Sequence, residues 1–146
     1  MSSELEKPQR IALFGNFGIN NLGNECTLQA VIYNIQLRLP SASMFIVCAD
    51  PIDAAERHQV PAVPIGAAHL GEQALHGPIA RGLRFLFLRI PVEICDCFRV
   101  WKQLKGVDIL LMAGTGMIAD HGLSPFGFLF EIFKWSAIAR IRGSVH

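Results

Sequence analysis

The chain is predicted to be an α/β protein: a Rossmann-like, mostly parallel sheet with flanking helices, in one domain spanning residues 1–146. Three observations lead there. Residues 10–15 and 108–113 each open on a charged residue and continue as a short apolar run of the kind buried on both faces of a parallel sheet. Segments with helical spacing of apolar residues alternate with such runs along the chain. Both runs end in glycine-rich turns, and in open α/β sheets ligands bind outside the carboxyl ends of the strands.

The elements follow in order. Residues 10–15 form the first strand, and a helix begins near Cys26, with Asn24 as its cap. Leu28, Val31, Ile32, Ile35 and Leu39 mark its inner face, and Pro40 stops it. Residues 44–49 make a second strand rich in residues that suit a pleated core. Asp50 and Pro51 open a short polar helix reaching His58. Residues 60–65 are a third strand, which Pro61 and Pro64 restrict to a sheet edge or demote to loop. Residues 66–77 read as a surface connection, and 78–105 as mostly helical with a break at Pro91. After the strand at 108–113 and its turn, a strongly apolar helix runs from Pro125 to Arg142.

Composition narrows the class. With 51% hydrophobic and 17% charged residues, the 146-residue chain can bury a real core. A net charge of +1 makes no case for nucleic acid, which calls for a clustered basic surface. The mean hydropathy of +0.37 is high and asks for a cause: a doubly covered sheet, a partner surface or a membrane. The opening residues are polar and charged and lack a secretory signal, so the expected location is the cytoplasm. Cys26, Cys48, Cys95 and Cys97 have no paired C-x-x-C spacing, which argues for buried reduced thiols and against a metal site. No cofactor is implied.

The loop after the first strand carries the chemistry. Gly15, Gly18 and Gly23 can take φ > 0 and leave no Cβ between backbone and ligand. Asn16, Asn20 and Asn21 supply donors and acceptors, and unpaired amides at the next helix would favour an anionic group. The spacing is neither a dinucleotide fingerprint nor a P-loop, and a tight strand-to-helix connection would look the same. The second turn, Ala113-Gly114-Thr115-Gly116, leads to Asp120 and His121. Asp120 can bind a sugar hydroxyl, act as a base or cap the local backbone; His121 can shuttle a proton or simply be solvated.

Together the two loops resemble the polysaccharide pyruvyl transferase family. Gly15, Gly18, Asn21, Gly23, Asn24 and Glu25 match its G-x-x-G-x-x-N-x-G-[DN]-E loop, and Gly114, Gly116 and Asp120 its second turn. Asn24 stands where aspartate is common, and the second turn has fewer glycines than usual. The resemblance implies transfer of a pyruvyl group from phosphoenolpyruvate to hexose hydroxyls of a surface glycan or its lipid-linked precursor. It also implies two Rossmann-like halves facing a cleft, as in GT-B glycosyltransferases, with the basic residues that grip phosphoenolpyruvate largely in the second. On this reading the chain is an amino-terminal half, inactive alone. A nucleotide-sugar glycosyltransferase half and a non-catalytic glycan- or phosphate-binding module are the alternatives.

Two segments are more apolar than one sheet can bury. Phe126, Phe128, Leu129, Phe130, Ile132, Phe133, Trp135, Ile138 and Ile141 cover more than one face of the last helix. Leu83, Phe85, Leu86, Phe87 and Leu88 crowd the arginine-flanked segment 81–89. The expectation is self-association or a carboxyl-terminal half that covers these residues, with peripheral contact at the inner face of the membrane as the alternative for 81–89.

Overall fold

The computed structural model describes residues 9–19, 21–66, 90–113 and 127–144. Within them lie four strands and four helices: β1 (Arg10–Phe14), α1 (Leu22–Arg38), β2 (Ser43–Cys48), α2 (Pro51–His58), β3 (Ala62–Pro64), α3 (Ile90–Gln103), β4 (Ile109–Met112) and α4 (Phe128–Ile141). The strands form one parallel sheet in the order β3-β2-β1-β4. This is the α/β, Rossmann-like architecture expected. β1 is the central strand, and the chain winds outward from it first toward β3 and then, after crossing over, toward β4. The carboxyl ends of β1 and β4 therefore lie side by side at a topological switch point, with Phe14 opposite Met112 and the Ala113 amide donating to the Phe14 carbonyl.

Alternation along β1 sends its side chains to two cores. Ala12 and Phe14 join Val100, Leu104, Leu110, Trp135 and Ala139 beneath α3 and α4. Ile11 and Leu13 join Phe17, Leu28, Ile32 and Ala54 beneath α1 and α2. Burial on both faces explains why the strand reads as a continuous apolar run. The inner face expected for α1 is the one observed: Leu28 and Ile32 are buried, with Val31, Ile35 and Leu39 packed against them. Asp50 caps α2 through bonds from the Ile52 and Asp53 amides, with Pro51 in its first turn. β3 is an edge strand, as its prolines require. α4 closes with a Schellman turn: Gly143 takes φ +80°, its amide bonds to Arg140 and that of Ser144 to Ala139.

Several boundaries and burials differ from expectation. The helix after β1 begins four residues before Cys26, at Leu22, because Asn21 rather than Asn24 provides the cap. Among the described residues Pro91 is the second residue of α3, and the helix expected before it, over residues 78–89, lies outside them. Cys26 and Cys95 are exposed and Cys97 half-buried, so only Cys48 is the buried thiol expected. Burial, with the nearby carboxylates of Asp50, Glu25 and Asp53, pushes the Cys48 thiol up to about 12. Alkylation of the native chain should modify Cys26 and Cys95 quickly and Cys48 only after denaturation; rapid labelling of Cys48 would contradict this packing.

Between α3 and α4 the charged groups point inward. Lys134 Nζ lies 2.6 Å from Asp96, 2.9 Å from Glu131 and 3.3 Å from Glu93, and Arg99 bonds Asp96 at 2.7 Å. Arg99 and Trp135 also donate to the Ile65 carbonyl, tying both helices to the end of β3. Burial alone would raise the Asp96 carboxyl, but bonds from Arg99 and Lys134 hold it below its usual value. Burial raises Glu131 despite its bond from Lys134. For Lys134, burial works downward and the bonds to Asp96 and Glu131 more than reverse it, leaving its value raised. Its stabilising contribution is thus complete at neutral pH and lost only as pH rises through that raised value. Lys134→Met should lower stability at neutral pH by about 3–5 kcal/mol, since it leaves buried carboxylates without their counter-charge. Denaturant melts should show the deficit shrinking at acid pH, where those carboxylates take up protons. A deficit independent of pH would contradict the account.

Candidate functional site

The loop from Gly15 to Asn21 leaves the carboxyl end of the central strand, beside that of β4, and folds back onto the α1–α2 side. Phe17 is its anchor, fully buried in that core. The Phe17 ring lies over Gly15, where an added Cβ would meet it at 2.3 Å. Gly15 is thus required for space and not for a positive φ. Gly18 does take a positive φ, +79°, and a Cβ there would stand 2.3 Å from the Asp50 carbonyl. No other residue type fits that position without moving the start of α2.

The first turn of α1 holds the loop in place. Asn21 accepts from the Gly23 amide at 3.2 Å and from the Asn24 amide at 3.4 Å. The Glu25 amide bonds to the Asn21 carbonyl. Asn24 is buried and donates to the Asn16 carbonyl at 3.1 Å. Glu25 is also buried; one carboxylate oxygen accepts from the Gly18 amide at 2.9 Å, and the other lies 2.8 Å from His58 Nε2. His58 Nδ1 faces Gln29 Oε1 at 2.9 Å, which completes a buried polar chain between α1 and α2.

These contacts correct the sequence reading of the loop. The amides of Gly23, Asn24 and Glu25 are not open to an anion; Asn21 takes all three. The Gly18 amide is held by a carboxylate. With no Lys or Arg in the loop, this surface suits neutral hydroxyl groups better than a free phosphate. Gly23 has a helical backbone and no positive φ, and a Cβ there would meet only Asn21 Oδ1, at an ordinary 3.4 Å.

The structure therefore brings Gly15, Asn16, Gly18, Asn21, Gly23, Asn24 and Glu25 together in one loop and helix start. Asn20, Gly114, Thr115, Gly116, Asp120 and His121 lie outside the described residues. The adjacency of β1 and β4 does bring the starts of both glycine turns to one edge. Sequence reasoning missed His58 and Phe17. A lone histidine at the end of a polar helix carries no signal of a buried partner, and Phe17 reads as one more apolar residue among glycines.

Elsewhere, Glu93, Asp96 and Glu131 are close enough together to suggest a metal site, but the Lys134 ammonium already sits among their oxygens. A shallow apolar groove runs beside α1 at the open flank of β4, lined by Cys26, Ala30, Val31, Ile35 and Leu111 and offering no convergent charges. Among the described residues no helix is long and apolar enough to cross a membrane. Comparison with known protein families, curated proteins and solved structures finds no match to this chain.

Gly18 and Gly23 should respond oppositely to substitution. Gly18→Val should lower the unfolding free energy by about 1–3 kcal/mol or more, from positive φ and the clash with Asp50. Gly23→Ala should leave it unchanged or raise it by up to about 1 kcal/mol, since alanine is the better helix former. Equal losses in denaturant melts would contradict these assignments.

Proposed function

We propose that the chain is a Rossmann-like unit of a polysaccharide pyruvyl transferase-like enzyme with GT-B-like architecture. In this reading the Gly15–Asn21 loop and the start of α1 form the wall that receives the hexose acceptor. The family reaction adds two sugar hydroxyls to carbon 2 of phosphoenolpyruvate, releasing phosphate and leaving a cyclic ketal. The carboxylate-held Gly18 amide and the absence of basic residues in the loop support an acceptor role over a donor role. Asp120 and His121, which follow β4 in the sequence, remain the proposed acid–base pair.

One observation carries the proposal. Of the motif residues Gly15, Gly18, Asn21, Gly23, Asn24 and Glu25, all but Gly23 have a structural task in shaping the loop. Gly23 lies inside a helix, where glycine costs up to about 1 kcal/mol against alanine, and the packing does not require it. Close approach of a ligand to its backbone explains a glycine there.

Amide chemical shifts followed by NMR test this reading. Hexose acceptors should move the signals of Gly18, Gly23 and their neighbours, and Gly23→Val should abolish the response while the protein stays folded. Phosphoenolpyruvate alone should move these signals much less. A response to nucleotide-sugars in place of free hexoses would favour the glycosyltransferase reading. No response to any sugar, or one that survives Gly23→Val, would overturn the loop as an acceptor site.

A further inference from the structure

The helix pair α3–α4 packs apolar residues on the sheet but has an ionic seam between its helices. Its charged groups Asp96 and Lys134 are buried, with Glu93, Glu131 and Arg99 turned toward them. Its outer surface is apolar: Ile94, Phe98 and Trp101 are 53%, 65% and 42% exposed and recur at i, i+4 and i+7 along α3. On α4, Leu129 and Phe133 are 52% and 68% exposed, one turn apart. Ordinary surface helices place their charged residues outside, away from the apolar stripe. Exposed apolar rows on two neighbouring helices mark an interaction surface.

The charges bordering the face indicate what covers it. The exposed charged residues on and just after the two helices are Lys102, Lys105 and Arg140, all basic. Arg142 stacks its guanidinium on the Trp101 ring at 4.6 Å, between the carboxyl-terminal ends of the helices. The acidic residues of both helices are turned inward to Lys134 and Arg99, so none balances this rim. Helices of 14 residues extend only about 21 Å, too short to span a bilayer but suited to lying in its interface. Aromatic side chains beside a basic rim are what an anionic membrane surface accepts. A second copy of the chain would bring only like charges to the rim.

We infer that the outer face of α3–α4 docks on an anionic lipid surface, with Phe98, Trp101 and Phe133 entering the headgroup boundary and Lys102, Lys105 and Arg140 facing the phosphates. This is independent of the role assigned to the glycine loop. The full chain should cosediment with vesicles of mixed phosphatidylglycerol and phosphatidylcholine, and at least about tenfold more weakly with phosphatidylcholine alone. Trp101 fluorescence should shift to the blue on binding, whereas buried Trp135 has little to report. Phe98→Ser with Trp101→Ser should weaken binding by about tenfold or more. Both residues are exposed, so the variant should keep its circular dichroism and melting temperature. Lys102→Glu with Lys105→Glu should remove the preference for anionic vesicles. Failure to bind either vesicle, binding indifferent to both pairs of substitutions, or a stable dimer that Phe98→Ser with Trp101→Ser dissociates would overturn the inference.

Discussion

The Glu25 carboxylate joins three parts of the molecule that would otherwise move independently. From the first turn of α1 it takes the Gly18 amide of the loop with one oxygen and meets His58 at the end of α2 with the other. The His58 contact is buried and the Gly18 contact partly so; away from water a charged acceptor strengthens its hydrogen bonds but is costly to leave alone. Losing the carboxylate would leave a part-buried amide and a buried imidazole without this partner at once. The position of the loop at the β1–β4 crevice therefore depends on a side chain that need not touch a ligand. Asn24 and Phe17 add to the same end, one from the helix and one from the core.

The two faces of the sheet solve burial differently. Beneath α1 and α2 the interior is apolar apart from the Glu25–His58 pair, and the outside mixes polar residues with exposed Leu22, Tyr33, Leu37 and Ile52. Beneath α3 and α4 the sheet side is apolar, the seam between the helices is ionic, and the outer surface is apolar again. The Lys134 cluster is thus a register device between two helices, locking them through Asp96 and holding both to β3 through Arg99 and Trp135.

Much of this was legible in the sequence, for identifiable reasons. β1 and β4 announced themselves because strands buried on both faces are apolar throughout, and β3 because two prolines fit only an edge. The α2 cap at Asp50-Pro51 is a local signal and was placed correctly. The start of α1 was not, because Asn21 and Asn24 are both competent caps and only the tertiary bond from Asn24 to the Asn16 carbonyl decides between them. The reasons for the glycines were also hidden. Gly15 answers to a phenylalanine ring two residues away, Gly18 to the Asp50 carbonyl, and Gly23 to nothing within the fold. High apolar content in the last helix was plain, whereas its inward charges required knowing that Lys134 meets Asp96 across a helix seam.

The central claim is that Glu25 fixes the loop from behind, so that the fold sets the shape of the site before any ligand arrives. Amide hydrogen exchange in Glu25→Ala tests it most directly. A charge-assisted hydrogen bond worth about 1.5–3 kcal/mol predicts that the Gly18 amide exchanges roughly ten to a hundred times faster in the variant. The Leu13 amide in β1 should slow or quicken only with global stability. Unchanged protection at Gly18, or equal loss at Gly18 and Leu13, would contradict it.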